Sequence, residues 1–247
     1  MSFSELICGI STEFGVANNT LDHLAVSITR FSDRAVKYLN EEFSEEAQNF
    51  GAFCTRVVLE NSCAALVGRL DTFRLMYLAE FQGRGSFEHG RPSKSGFRWT
   101  GDVLPDDKPV QEMWGVEHDV SRVSRALFSQ YADHMYWRPG LEALIDFTSN
   151  YNGDEIDEIK NIDPEKYSVI MKGKFSSLYS TLSKGVHWDF FVSSVVLDQD
   201  TIKESIRESL ISLSTLGLIS HFVPTAYRSL NQQVAVQTYQ QFRKAFQ

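Results

Sequence analysis

Along this chain apolar residues recur at three- and four-residue steps, which is the signature of helix faces packed on a core. Leu21, Leu24, Ile28, Phe31, Ala35 and Tyr38 form the first such series, with Asp22, Arg30, Asp33, Arg34 and Lys37 on other faces. The spacing predicts a long helix with Asn19 or Thr20 as its N-cap. Ser44 followed by Glu45 and Glu46 predicts a second start, since acids suit the positive end of a helix dipole. No proline occurs from there to about Phe81, and Leu59, Cys63, Leu66, Leu70, Phe73 and Tyr77 sustain a heptad-like stripe. Phe53, Val57, Val58 and Ala64 widen it, so this second helix is expected at the centre of a bundle, antiparallel to the first. Residues 1–17 admit either a short helix or an irregular arm.

Periodicity lapses over residues 82–115, which hold much of the chain's glycine and proline punctuation. That length exceeds an ordinary connector and predicts one long irregular loop with a role of its own. Val116, Val120, Val123, Leu127 and Tyr131 restore the helical period until Pro139-Gly140 imposes a break. Leu141, Leu144, Ile145 and Thr148 then line a shorter helix. Residues 150–162 are acidic and read as a solvated loop.

Asp163 to Phe191 carries the clearest capping pattern: Asp163 as N-cap, Pro164 at the first helical position, and Glu165 complementing the dipole. Tyr167, Ile170, Met171, Phe175, Leu178 and Leu182 share a face, and Gly185 is the expected stop. Thr201 with Glu204 predicts a capping box before Ile202, Ile206, Leu210 and Leu213, and Pro224 is expected to open a last helix. No internal repeat at a fixed period occurs. The expected architecture is a single all-α domain over residues 1–247, a bundle of about six or seven helices, two of them long.

Composition changes this picture little. The 247 residues are 43% hydrophobic and 23% charged, and 18 Phe, 9 Tyr and 4 Trp make the chain rather aromatic. A net charge of −8 argues against binding nucleic acid or anionic membrane through the whole surface. Cys8, Cys54 and Cys63 contain no Cys-x-x-Cys pair and read as reduced core thiols of a cytoplasmic protein. The N-terminus lacks the basic region of a signal peptide, and no run of about 18 apolar residues predicts a membrane span.

Candidate chemistry falls in two places. The run Leu182-Ser183-Lys184-Gly185-Val186-His187, with Tyr179 one turn earlier, resembles the Leu-Ser-x-x-Val-His segment near the end of a core helix in HEPN-like bacterial domains. The resemblance covers residues 164–192 and implies a place among abortive-infection, toxin–antitoxin and phage-defence proteins. It also implies a ribonuclease motif, an arginine four to six intervening residues before the histidine. Those positions are Leu182, Thr181 and Ser180 here, so the arginine is missing, and Lys184 lies only three residues from His187. His187 serves equally as a cation at the negative end of a helix.

The other place is the loop, where Arg84, Arg91, Lys94 and Arg98 interleave with Phe87, Phe97 and Trp99. Cations for phosphates and rings for stacking suit single-stranded DNA or RNA; Trp and Arg equally mark a protein interface. Arg84 and His89 also satisfy an Arg-x4-His spacing. His118 and His134 sit on opposed helix faces with no further ligands nearby, so no metal is expected, and no phosphate-binding loop or dinucleotide fingerprint implies a cofactor. Three functions follow from these features. The first is partner binding, to another protein or as a homodimer. The second is metal-independent RNA cleavage using His187 or His89 with Lys184 or a nearby arginine. The third is nucleic-acid binding by residues 84–99.

Overall fold

The computed structural model describes residues 2–42, 44–88, 96–106, 123–187 and 198–246. Among them the chain is all-α: α1 Phe3–Cys8, α2 Val16–Asn40, α3 Glu45–Leu70, α4 Thr72–Gln82, α5 Gln130–Ala132, α6 Arg138–Phe147, α7 Asp154–Lys160, α8 Pro164–His187, α9 Gln199–Ser220 and α10 Gln232–Arg243. One core draws apolar side chains from all ten helices, with Leu59 and Leu66 of α3, Phe175 of α8, and Leu210 and Leu213 of α9 inaccessible to solvent. α3 is long and apolar enough by composition to cross a membrane, yet it lies in the bundle with 61% of that window buried.

The helix count exceeds the expected six or seven for identifiable reasons. α1 forms because Ser2 and Glu5 make a complete capping box, and its Phe3, Leu6, Ile7 and Cys8 are buried. The predicted acidic loop holds α7, because Ile156 and Ile159 are buried while Asp154, Glu155 and Asp157 sit at the positive end of its dipole. The expected helix from 45 to 81 is broken at Asp71, the residue shared as the C-cap of α3 and the N-cap of α4. Its φ of −131° and ψ of +78° are not helical, so no proline is needed to end α3.

Other boundaries move by a few residues. Ser44 caps α3 by accepting from the Ala47 N–H, as expected, and the Asp163 carboxylate accepts from the Glu165 N–H before α8. α2 starts at Val16 rather than at Asn19 or Thr20. Asp198, not Thr201, caps α9 by accepting from the Thr201 N–H at 2.7 Å. α10 begins at Gln232 under an Asn231 cap, so Pro224 lies in a run of turns instead of opening a helix. Residues 123–129 are not helical, and Pro139 sits within the first turn of α6, directly after a π-turn over Asp133–Trp137. That wider turn accommodates the proline ring where a regular helix would clash with it. α8 continues through Gly185 to His187, since an αR glycine in a helix with a buried apolar face is tolerated at modest cost.

Candidate functional site

The break at Asp71 decides what the second apolar stripe does. Upstream, Leu59, Cys63 and Leu66 are buried as expected. Downstream, α4 takes a new direction: Leu75 and Leu78 face the core, while Phe73 is 72% exposed, Tyr77 45% and Met76 42%. Phe73 and Tyr77 are therefore surface residues, contrary to the expectation that they line the core. Their rings form a row, Phe73 to Tyr77 at 6.4 Å, Tyr77 to Phe81 at 6.2 Å, and Phe81 edge-on to Phe87 at 6.2 Å. Glu80 and Arg84, 4.0 Å apart and both well exposed, sit at the end of the same stripe. Ring pairs at i, i+4 spacing hold one another's rotamers, so the row presents a pre-ordered apolar surface.

The loop beside α4 is anchored instead of free over its described part. Asp102 accepts both Nε and Nη2 of Arg74, at 2.8 and 2.7 Å, and also accepts from the backbone N–H of Arg98. A bidentate guanidinium–carboxylate pair of this kind fixes orientation as well as distance. Gly101, at φ +113°, makes the turn that only glycine adopts without strain, and its N–H reaches the Leu104 carbonyl at 2.7 Å.

Trp99 lies inward on this turn, its ring 4.2 Å from that of Tyr179 on α8 and 11° from parallel. Arg56 of α3 steadies Tyr179: its Nη2 donates to the phenol oxygen at 2.9 Å, and its guanidinium lies 4.6 Å from the ring centroid. Trp99 thus joins the loop to α3 and α8, with one ring face already covered. Trp99→Ala is expected to cost about 1 kcal/mol for the aromatic pair on top of the apolar area it no longer buries, without unfolding the bundle. Faster amide exchange over residues 98–104 with an unchanged helical CD signal checks it; unchanged exchange sinks it.

The predicted site residues that are described fall on separate elements: Arg84 after α4, Arg98 and Trp99 on the loop, and Lys184 and His187 at the end of α8. Arg84 and Arg98 are exposed, Arg84 paired with Glu80 at the end of α4. Lys184 is exposed on α8, and His187 is the last residue of that helix, so an unbroken helix sets the two positions one turn apart. His89, Arg91 and Lys94 lie outside the described residues, as does His118. No cluster of three or more metal-ligating side chains occurs among the described residues.

A second polar constellation was invisible in the sequence. Arg69, at the end of α3, is 0% exposed and donates to the carbonyls of Ile7 and Tyr227 and to the hydroxyls of Ser220 and Ser229. Its Nη2 also meets His221 Nδ1 at 3.1 Å. That nitrogen accepts the Leu230 N–H at 3.0 Å too, and Nε2 lies 2.9 Å from the Leu6 carbonyl. These contacts assign the proton to Nε2. Burial, reinforced by the Arg69 charge, holds the imidazole's pKa well below its usual 6.5. Burial likewise pushes the neighbouring Cys8 thiol up to about 12. Arg69 and His221 are buried, and the set clasps α1, α3, the end of α9 and the turns at 221–231, which makes it structural. Its signal in the sequence, an arginine in an apolar helix and a histidine after one, carries no spacing that links the two.

Compared with family models, curated proteins and solved structures, the chain matches none.

Proposed function

We propose that this chain is an all-α, HEPN-like protein that acts by binding a partner, as a subunit or regulator in a bacterial defence or toxin–antitoxin setting. The observation that carries the binding role is the exposed pair Phe73 and Tyr77 with Met76 beside them, continued by the half-buried rings of Phe81 and Phe87. A soluble surface rarely keeps contiguous large apolar side chains in water without use for them, and Phe, Tyr and Met are enriched where interfaces form. The defence setting is supported by the resemblance of residues 164–192.

The binding role predicts that Phe73→Ser, Tyr77→Ser and Phe81→Ser together abolish a complex that survives Trp99→Ala. Single ring losses at the centre of such a patch cost about 2 kcal/mol each, a roughly thirtyfold change in affinity. The variant should keep its helical CD signal, since these side chains support little of the core. A complex retained by the triple variant would remove α4 as the interface. RNA cleavage by the pure protein that persists in EDTA and is lost with His187→Ala would instead establish the ribonuclease reading. A salt-dependent RNA affinity lost with Arg84→Ala and Arg98→Ala would establish the nucleic-acid one.

A further inference from the structure

Asn152 sits at a bend between two anchored residues, and we propose that it is a site of spontaneous deamidation, converting to aspartate and isoaspartate with release of ammonia. It heads the one Asn-Gly pair in the sequence; every other asparagine precedes a residue whose β-carbon crowds the following nitrogen. Asn152 is exposed and lies outside any helix, two residues ahead of α7. Among the described residues, no hydrogen bond engages its side-chain amide or the Gly153 N–H. Both reacting groups are therefore free. The fold itself keeps glycine at 153: its φ of +139° suits glycine alone, and a Cβ there would meet the Glu155 carboxylate at 3.2 Å and the Gln240 amide at 3.3 Å. The start of α7 thus requires the glycine that makes Asn152 labile.

The Gly153 nitrogen gives up its proton and attacks Cγ of Asn152. An N–Cγ bond forms, a succinimide ring closes, and the side-chain nitrogen leaves with that proton as ammonia. Water then opens the ring. Cleavage of the N–Cγ bond gives aspartate on the original main chain. Cleavage at the former Asn152 carbonyl gives isoaspartate, whose main chain runs through Cβ and Cγ and is one methylene longer. That extra length falls on a span fixed at both ends. On one side Lys160 Nζ, at the end of α7, holds the Tyr151 carbonyl at 2.6 Å. On the other, the Gly153 carbonyl accepts the Ile156 and Asp157 N–H groups at 3.0 and 2.9 Å, which starts α7. The isoaspartyl chain cannot keep both anchors unshifted, so α7 loosens first, and with it the Glu158–Arg243 pair that ties it to α10.

Warm incubation of the full chain at neutral pH, folded and unfolded in guanidinium chloride, followed by digestion and mass spectrometry, tests this. The exchange of NH2 for OH is expected at Asn152 in the folded chain at a rate within a few-fold of the unfolded one, because the fold restrains neither reacting group. Asn150 and Asn161, exposed on either side, serve as internal controls and should stay intact over the same period. Protein L-isoaspartyl O-methyltransferase should methylate the incubated chain, and Asn152→Gln, which would have to close a larger ring, should abolish that methylation with an unchanged CD spectrum. In the methyl-accepting fraction, amide exchange over residues 154–160 should quicken while α3 and α9 stay protected. Protection of Asn152 by the fold through more than an order of magnitude in rate, or equal conversion at Asn150, overturns the inference.

Discussion

Replacing Arg69 with leucine is expected to lower the free energy of unfolding by about 3 kcal/mol or more, the scale at which a buried hydrogen-bonded cation is lost. Arg69 Nε donates to the Tyr227 carbonyl at 2.9 Å and Nη1 to the Ile7 carbonyl at 3.1 Å. Two effects oppose each other. Burial of the guanidinium is costly, and it lowers the pKa from 12.5 to about 10, so the group stays charged at neutral pH. Leucine relieves that cost, but it cannot donate, and the buried Ile7 carbonyl and the part-buried Tyr227 carbonyl lose a charged donor. Each orphaned acceptor costs about 1–3 kcal/mol, and the shorter side chain also leaves a cavity. The Ser220 and Ser229 hydroxyls, which accept from Arg69, keep the bonds they donate to the Gly217 and Ala226 carbonyls; the Ile7 and Tyr227 carbonyls have no such second role. Lysine should recover little, since one ammonium cannot donate in the divergent directions that a guanidinium spans. Urea unfolding followed by CD reads the effect, and a loss under about 1 kcal/mol would sink it, being the size of an ordinary point change.

How much of this was legible in the sequence differs between elements. The faces of α2 and α8 follow from spacing alone: Leu21, Ile28 and Ala35, then Tyr167, Met171, Phe175, Leu178 and Leu182, are buried as the period predicts. Ile170 fails, at 61% exposed, because a stripe wide enough to hold both Ile170 and Met171 exceeds what the neighbouring helices cover. Stripe continuity misled most at α4. A heptad series running from Leu59 to Tyr77 looks unbroken, yet one residue with non-helical dihedrals at Asp71 turns its last members outward. The only local hint was Asp71-Thr72, a pair that favours a helix start over a helix interior.

The candidate site was half legible for the same reason. The basic, aromatic loop stood out by composition, but composition does not say which rings face inward. Trp99 is committed to Tyr179, whereas Phe73 and Tyr77, assigned to a core stripe by their period, are exposed. Exposure is set by where α4 sits relative to α2 and α3, a long-range property that no window along the chain contains. The Arg69–His221 contact spans 152 positions and is unreadable locally for the same reason.

His221 gives the fold a stability that falls on mild acidification, and the sign follows from its depressed pKa. In the folded chain Nδ1 faces two donors, the Leu230 N–H and the Arg69 guanidinium, so a proton there has no acceptor to meet. The groups that meet the ring are the Arg69 guanidinium of α3, the Leu6 carbonyl of α1 and the Leu230 N–H, and no carboxylate is among these contacts. The unfolded chain protonates its histidine near 6.5, whereas the folded chain resists until much lower pH. Between those values the unfolded state binds more protons, so stability rises with pH across the window and is flat above it. Stability is therefore complete at pH 7.5 and declines as pH falls below 6.5, with a limiting slope of about 1.4 kcal/mol per unit. Asp163 and Asp198 titrate below their usual carboxylate range, held down first by Lys166 and by the Thr201 N–H respectively, so both remain ionised over this window and do not contribute. Urea unfolding at a series of pH values should show the slope in the native chain and its loss in His221→Gln, whatever that variant does to stability at pH 7.5. A slope equal in both proteins would mean that His221 takes up its proton in the folded state, and the two-donor geometry around Nδ1 would then have to open well above the pH at which the rest of the fold does.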